Sequence, residues 1–106
     1  MEIPRLSDEQ LSDARKAASV ARRARADLKS QLRNGEIDFL IALDRCLADE
    51  TLEHIRVIDL LRCVPRMGEK RAADLMTRLS IAESRRIRGL GPNQLAALRK
   101  EFGATL

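Results

Sequence analysis

Two arginine-rich segments that turn on glycine carry the side chains best suited to chemistry in this chain. Val64–Met76 reads VPRMGEKRAADLM, and Ser84–Leu98 reads SRRIRGLGPNQLAAL. Each passes from an apolar residue through a glycine into a new amphipathic helix, and Gly68 and Gly91 occupy equivalent places 23 positions apart. A turn of this kind leaves the first backbone N–H groups of the helix without partners. With the helix dipole behind them and cations beside them, those groups suit a phosphate. In the second segment Arg85, Arg86 and Arg88 directly precede Gly89–Leu90–Gly91. Core packing asks for no such density of guanidinium, although a basic loop with a helix cap is the bland alternative. In the first segment Arg66, Gly68, Lys70 and Arg71 supply the charge and the turn. Two such turns in one small chain suggest a clamp on a nucleic-acid backbone.

A third group of cations lies upstream. Arg15, Lys16, Arg22, Arg23, Arg25, Lys29 and Arg33 share the polar face of a helix over about Ser7–Arg33. A solvated face with i,i+4 pairing, such as Asp27 beside Arg23, explains most of them. Arg25 differs, because it interrupts the apolar stripe where leucine would pack better. Arg22, Arg23 and Arg25 are therefore candidates to lie along phosphates.

Charge is distributed to match. Residues 1–35 carry eight basic and five acidic side chains, a balance of +3. Residues 36–55 carry one basic and six acidic, a balance of −5, and residues 56–106 carry eleven and five, a balance of +6. A polyanion would meet the C-terminal half and be repelled by the acidic middle. Only Phe39 and Phe102 are aromatic, which argues against stacking on single-stranded bases and against a strand-built fold. Alanine, leucine, arginine and glutamate dominate, so the fold class expected is all-α. At 106 residues there is room for one modest core.

Other chemistry finds little support. Cys46 and Cys63 lack CxxC spacing and read as buried thiols, and the single His54 cannot complete a metal site with them. No cofactor is implied. Asp59, Glu69 and Asp74 stand at salt-bridge spacing, and a nucleophile or metal cluster in a pocket is not apparent, so the chain reads as no enzyme. Without an apolar run of ~18 residues or a secretory signal, a cytoplasmic location is expected.

The elements that must position these groups follow from caps and periodicity. Ser7 with Gln10 forms a capping box, with Pro4 upstream, and Asn34–Gly35 closes the first helix. Leu11, Ala14, Ala18, Ala21, Leu28 and Leu32 line one face, and the alanine-rich first half offers little area to a core. Its C-terminal half should dock while the rest projects. A second helix over about Glu36–Ala48 presents Ile37, Leu40, Ile41, Leu43 and Leu47 as the core centre. After the turn Asp49–Glu50–Thr51, a short helical stretch near Leu52 leads to a helix over Val57–Cys63 that Pro65 ends. A helix over about Glu69–Leu79 buries Ala72, Ala73, Leu75, Met76 and Leu79. A single turn near Ser84–Ile87 precedes the last helix, about Pro92–Phe102, with Leu95, Leu98 and Phe102 inward and Gly103 as its stop.

VPRMGEKRA resembles a helix-hairpin-helix element, in which Met67 plugs the core and the amides of Gly68, Glu69 and Lys70 face outward. One departure stands out. Such hairpins often carry glycine two residues before Gly68, where this chain has Arg66. That change predicts a looser turn with an added phosphate-directed charge. The order of elements resembles a helix–two-turns–helix (H2TH) domain of the ribosomal S13 kind over residues 36–106, behind a long N-terminal helix over 1–35. More closely, the chain is similar to the actinobacterial integration host factor family of the mycobacterial and Streptomyces type. The resemblance runs through PRLSDEQ, ARRARADLK, IRVIDLLRCVPRMGEKRA and, most specifically, SRRIRGLGPNQLAALRKEFG. It is weakest over Glu36–His54.

This resemblance implies a monomeric nucleoid-associated protein that binds double-stranded DNA with little sequence preference. Bending or compaction of DNA and help to a phage integrase in site-specific integration are implied with it. Carried onto this chain, the DNA contacts would be Arg85, Arg86 and Arg88 with amides around Gly68 and Gly89–Gly91. Arg22, Arg23 and Arg25 would supply a second surface. An RNA- or ribosome-associated module with a related turn arrangement is the alternative, although the long basic tail usual in such proteins is missing. A helical domain that binds only protein would leave the arginine-rich turns without a purpose.

Overall fold

The computed structural model describes residues 7–103, so Pro4 lies outside the described residues. Five α-helices and one 3-10 turn follow one another: α1 (Asp8–Arg33), α2 (Phe39–Ala48), α3 (Val57–Leu61), α4 (Glu69–Arg78), the turn Ile87–Gly89, and α5 (Pro92–Gly103). The fold is all-α.

Helix α1 begins and ends where its caps dictate. The Ser7 hydroxyl accepts the Gln10 amide at 3.1 Å, and the Gln10 side chain accepts the Ser7 amide at 2.8 Å. At the other end Gly35, at φ 75°, lets the Glu36 amide reach back to the Gln31 carbonyl at 2.9 Å. Every residue from Ser7 to Val20 is exposed, while Leu28 and Leu32 are buried. The first half of α1 thus projects, and the molecule extends 58 Å in its longest direction.

The core forms where the other elements meet the end of α1. Leu28 and Leu32 join Phe39, Ala42, Leu43 and Cys46 of α2, Leu60 and Leu61 of α3, Leu75 and Met76 of α4, and Leu98 of α5. The two aromatic rings of the chain, Phe39 and Phe102, stack with centroids 4.1 Å apart and so clasp α2 to α5. Burial pushes the Cys46 thiol up to about 11, and Asp49 adds to the shift. Ion pairs fasten the outside of the bundle. Arg99 meets Asp44 at 2.7 Å across α5 and α2, and Arg78 grips Glu101 through two hydrogen bonds of 2.6 and 3.1 Å across α4 and α5. That grip holds the Glu101 carboxyl below its ordinary range, through its hydrogen bonds to Arg78.

Several boundaries differ from expectation. Helix α2 starts at Phe39 rather than Glu36, because the Asp38 carboxylate caps the Ile41 amide at 2.8 Å. Its buried face is therefore Phe39, Ala42, Leu43 and Cys46, whereas Ile41 and Leu47 stay 44% and 37% exposed. The stretch around Leu52 is a run of turns, not a helix. Helix α3 stops at Leu61, before Pro65. The last single turn sits at Ile87–Gly89, later than Ser84–Ile87.

The hairpin between α3 and α4 corrects a second expectation. Arg66 does not loosen this turn. It takes the left-handed conformation itself, at φ 70°, and the Met67 amide bonds the Val64 carbonyl at 3.0 Å. Met67 then packs against the core as expected. A side chain in that region costs about 1–2 kcal/mol that glycine avoids. Arg66→Gly should therefore raise the unfolding free energy by about 0.5–1 kcal/mol, after the greater freedom of glycine in the unfolded chain is allowed for. Arg66→Ala keeps the β-carbon and should bring no such gain. Urea titrations of the three proteins check this, and equal gains in both variants would point to charge rather than backbone strain.

Candidate nucleic-acid interface

The second arginine turn is held in place by a backbone contact between distant segments. The Val57 amide bonds the Arg85 carbonyl at 3.0 Å, the Ile87 amide bonds the Ile55 carbonyl at 2.9 Å, and the Arg88 amide bonds the Glu53 carbonyl at 2.8 Å. The first two bonds flank an isolated antiparallel bridge between Arg56 and Arg86. Side chains alternate along both segments. Ile55, Val57 and Ile87 point into the core, while His54, Arg56, Arg86 and Arg88 are exposed. The bridge is thus a two-sided device with an apolar anchor and a basic outer face.

Bonds that flank the pair rather than join it make Arg56 and Arg86 a non-hydrogen-bonded pair, the arrangement in which opposed side chains come closest. Like charges in such positions repel. The guanidinium of Arg86 is held by a 2.7 Å bond from Nη1 to the His54 carbonyl, and that of Arg85 by a 3.0 Å bond from Nη1 to the Gly89 carbonyl. Among the described residues none of Arg56, Arg85, Arg86 or Arg88 meets a carboxylate. A shallow concavity of about 610 Å³ opens here, lined by His54, Ser84, Arg85, Arg86, Arg88 and Gly89. An anion bridging these cations would offset their repulsion.

The backbone of this turn plays a different part from the one its glycines suggest. The Gly89 amide donates to the Arg86 carbonyl at 2.9 Å, and the Gly91 amide donates to the Gln94 side chain at 3.1 Å. Both donors are spent inside the chain, so guanidiniums rather than glycine amides face outward. Gly91 directly precedes α5 and does not line the concavity. Gly89 matters for space instead. A β-carbon there would stand 3.1 Å from Cδ of Arg85, which lies across it.

The hairpin shows the reverse pattern. Gly68 is the residue before α4, and no side chain caps that end. Ala72 is the first residue of the helix to bond back, from its amide to the Gly68 carbonyl at 2.9 Å. Nothing stands within 4 Å of the place a β-carbon would occupy at Gly68, so the approach to these amides is open. Arg66 and Gly68 line a second concavity of about 450 Å³ with Arg33 and Arg62. Lys70 is exposed in the first turn of α4. Arg71 faces elsewhere, in the groove with Asp74, Arg78 and Glu101 between α4 and α5.

The remaining candidates lie on α1. Arg22 and Arg23 are exposed. Arg25 is half-buried, and its Nη1 donates over 3.5 Å to the Thr51 carbonyl, tying α1 to the turn before α3. Arg56 and His54 were not singled out from the sequence as nucleic-acid contacts. The signal was the alternation His-Ile-Arg-Val facing Arg-Ile-Arg, a period of two in stretches too short to read as strands.

Residues 32–102 match the S13-like H2TH domain. The integration host factor of Mycobacterium tuberculosis is 42% identical over 104 residues, covering 98% of this chain and 99% of that protein. The integration host factor of Streptomyces coelicolor is 39% identical over 105 residues, covering 99% and 98% respectively. A solved structure of sIHF bound to an 8 bp palindromic DNA superposes with a TM-score of 0.77 at 39% identity, covering 83% of this chain and 99% of that one.

The packing of Arg85 over Gly89 can be tested directly. Gly89→Ala should displace the Arg85 side chain while changing stability by no more than about 0.5 kcal/mol, since the site is on the surface. The Nε–H signal of Arg85 in a nitrogen-proton NMR spectrum should shift or broaden. An unmoved signal would show that the guanidinium is not held by the turn.

Proposed function

The chain belongs to the integration host factor family of S13-like H2TH proteins, and on that premise we propose that it is an architectural protein of double-stranded DNA. It binds through phosphates with little preference for sequence. The observation that carries this reading is the basic face of the Arg56–Arg86 bridge, where Arg85, Arg86 and Arg88 line one concavity, Arg56 stands across the bridge, and none of them meets a carboxylate among the described residues. Similarity to sIHF, described bound to an 8 bp palindromic DNA, supports a duplex as the partner.

Each part of the molecule has a task in this reading. Arg85, Arg86 and Arg88, joined by Arg56, grip one stretch of backbone. The open first-turn amides of α4 at Gly68, with Arg66 and Lys70, take a further phosphate. Arg22 and Arg23 on the projecting helix reach a flank, and Arg25 steadies that helix through Thr51. The helical body forms the binding unit, and the projecting first half of α1 is its arm. Phosphate contacts fix position without reading bases, which accounts for weak sequence preference. Contacts on separate surfaces of one monomer draw DNA around it and so bend or compact it. Such bending serves chromosome organisation in the nucleoid and presents attachment sites to a phage integrase.

The expected signature is electrostatic. Log K for a random-sequence duplex should fall with log salt by about 0.9 per phosphate neutralised. Replacing Arg85, Arg86 and Arg88 together by alanine should remove most affinity and lower that slope by about 2–3, with helicity unchanged by circular dichroism. Undiminished binding of the triple variant at physiological salt would overturn the assignment. In the same assay duplex DNA should outcompete structured RNA, and the opposite order would favour a ribosomal role. End-labelled duplexes should show a rise in energy transfer when the protein bends them.

A further inference from the structure

The chain has one histidine, and the fold sets it among the arginines of the concavity. His54 is exposed, and its carbonyl accepts the Arg86 guanidinium at 2.7 Å. It stands two residues from Arg56; both are exposed, and Ile55 is buried between them. We infer that His54 is a further phosphate-contacting residue whose protonation tightens the DNA complex. This rests on the duplex-binding reading above.

The charged groups lining the concavity beside His54 are Arg85, Arg86 and Arg88, with the Ser84 hydroxyl as the other polar side chain. Arg56 stands across the bridge from Arg86, and Glu53 is next in the chain, its carbonyl already taken by the Arg88 amide. A phosphate seated among the guanidiniums sets a negative charge beside the ring and favours its protonated form. Binding and protonation therefore assist each other, and the complex takes up a proton as it forms.

The inference is sharply testable because little else changes charge in the relevant window. Arginine and lysine stay cationic and carboxylates stay ionised between about pH 5.5 and 7.2, where imidazole as a side-chain type changes its charge. Fluorescence anisotropy with a random-sequence duplex at fixed salt should show affinity rising about threefold to fivefold from pH 7.2 to 5.5, the size of one added surface charge contact. His54→Gln should bind with a flat profile at the weaker level. His54→Lys should be flat at the tighter level, which separates charge from shape. Calorimetry near the midpoint, in buffers of different ionisation enthalpy, should report proton uptake by the wild type and none by either variant.

Two results would overturn the inference and leave duplex binding intact: a flat wild-type profile, or a His54→Gln profile that keeps the wild-type slope. Failure to bind duplex at any pH in the window would overturn the function proposed above as well.

Discussion

The lacing of residues 53–57 to residues 85–88 is the constraint on which the rest of the architecture turns. Three backbone hydrogen bonds join segments some thirty positions apart, and each apolar side chain on the inner side is an anchor in the core. Ile55, Val57 and Ile87 are buried to within 4% of complete exclusion. Arg56 and Arg86 are extended, and with their neighbours anchored inward they face water. His54, in the preceding turn, and Arg88, in the 3-10 turn, are exposed beside them. Hydrophobic burial thus sets the orientation of the charges, at no cost to the core. It also explains how like charges can be crowded together, since the repulsion at one exposed face is small beside the burial of three branched side chains.

The arginines of this chain divide by partner rather than by location in the sequence. Arg62, Arg78 and Arg99 meet carboxylates and fasten α3, α4 and α5 to their neighbours. Arg25 and Arg45 bond a carbonyl and the Gln31 side chain and so hold α1 against the body. The arginines of the bridge bond only backbone carbonyls, Arg85 that of Gly89 in its own turn and Arg86 that of His54 in the facing segment. A guanidinium with a carbonyl partner is oriented but not neutralised, so its charge and its other N–H groups stay available. Net charge could not have made that separation. The pattern of carboxylates across the folded surface does.

Much of the framework was legible because it rests on local rules. The capping box at Ser7, the glycine stop at Gly35 and the proline start of α5 involve residues within a few positions of one another, and all three stand as read. The inner face of α2 is as read at Leu43 but not at Ile41 and Leu47, for a physical reason. Ile37, Leu40, Ile41 and Leu47 make as good a helical stripe as Phe39, Ala42 and Cys46, and only the Asp38 cap and the stacking of Phe39 on Phe102 choose between them. The bridge was illegible because neither of its segments is long enough to show a strand period. Pairing of Arg56 with Arg86 is created by tertiary contact alone.

The two glycine turns offer different groups to an anion, and the difference follows from their caps. At Gly91 the helix that follows is capped by Gln94, which consumes the amide and leaves only side chains to meet a ligand. At Gly68 the helix is uncapped, so its first amides stay open, and the charge nearby is lighter. Arg66 makes sense in that setting. Its left-handed backbone keeps the turn tight enough to expose those amides, a task glycine performs without strain, yet glycine would bring no charge. The strain of about 1–2 kcal/mol is offset only if the guanidinium contributes to binding what the backbone loses in stability. The cost falls on the fold, and under the proposed function it is recovered when a phosphate occupies the hairpin.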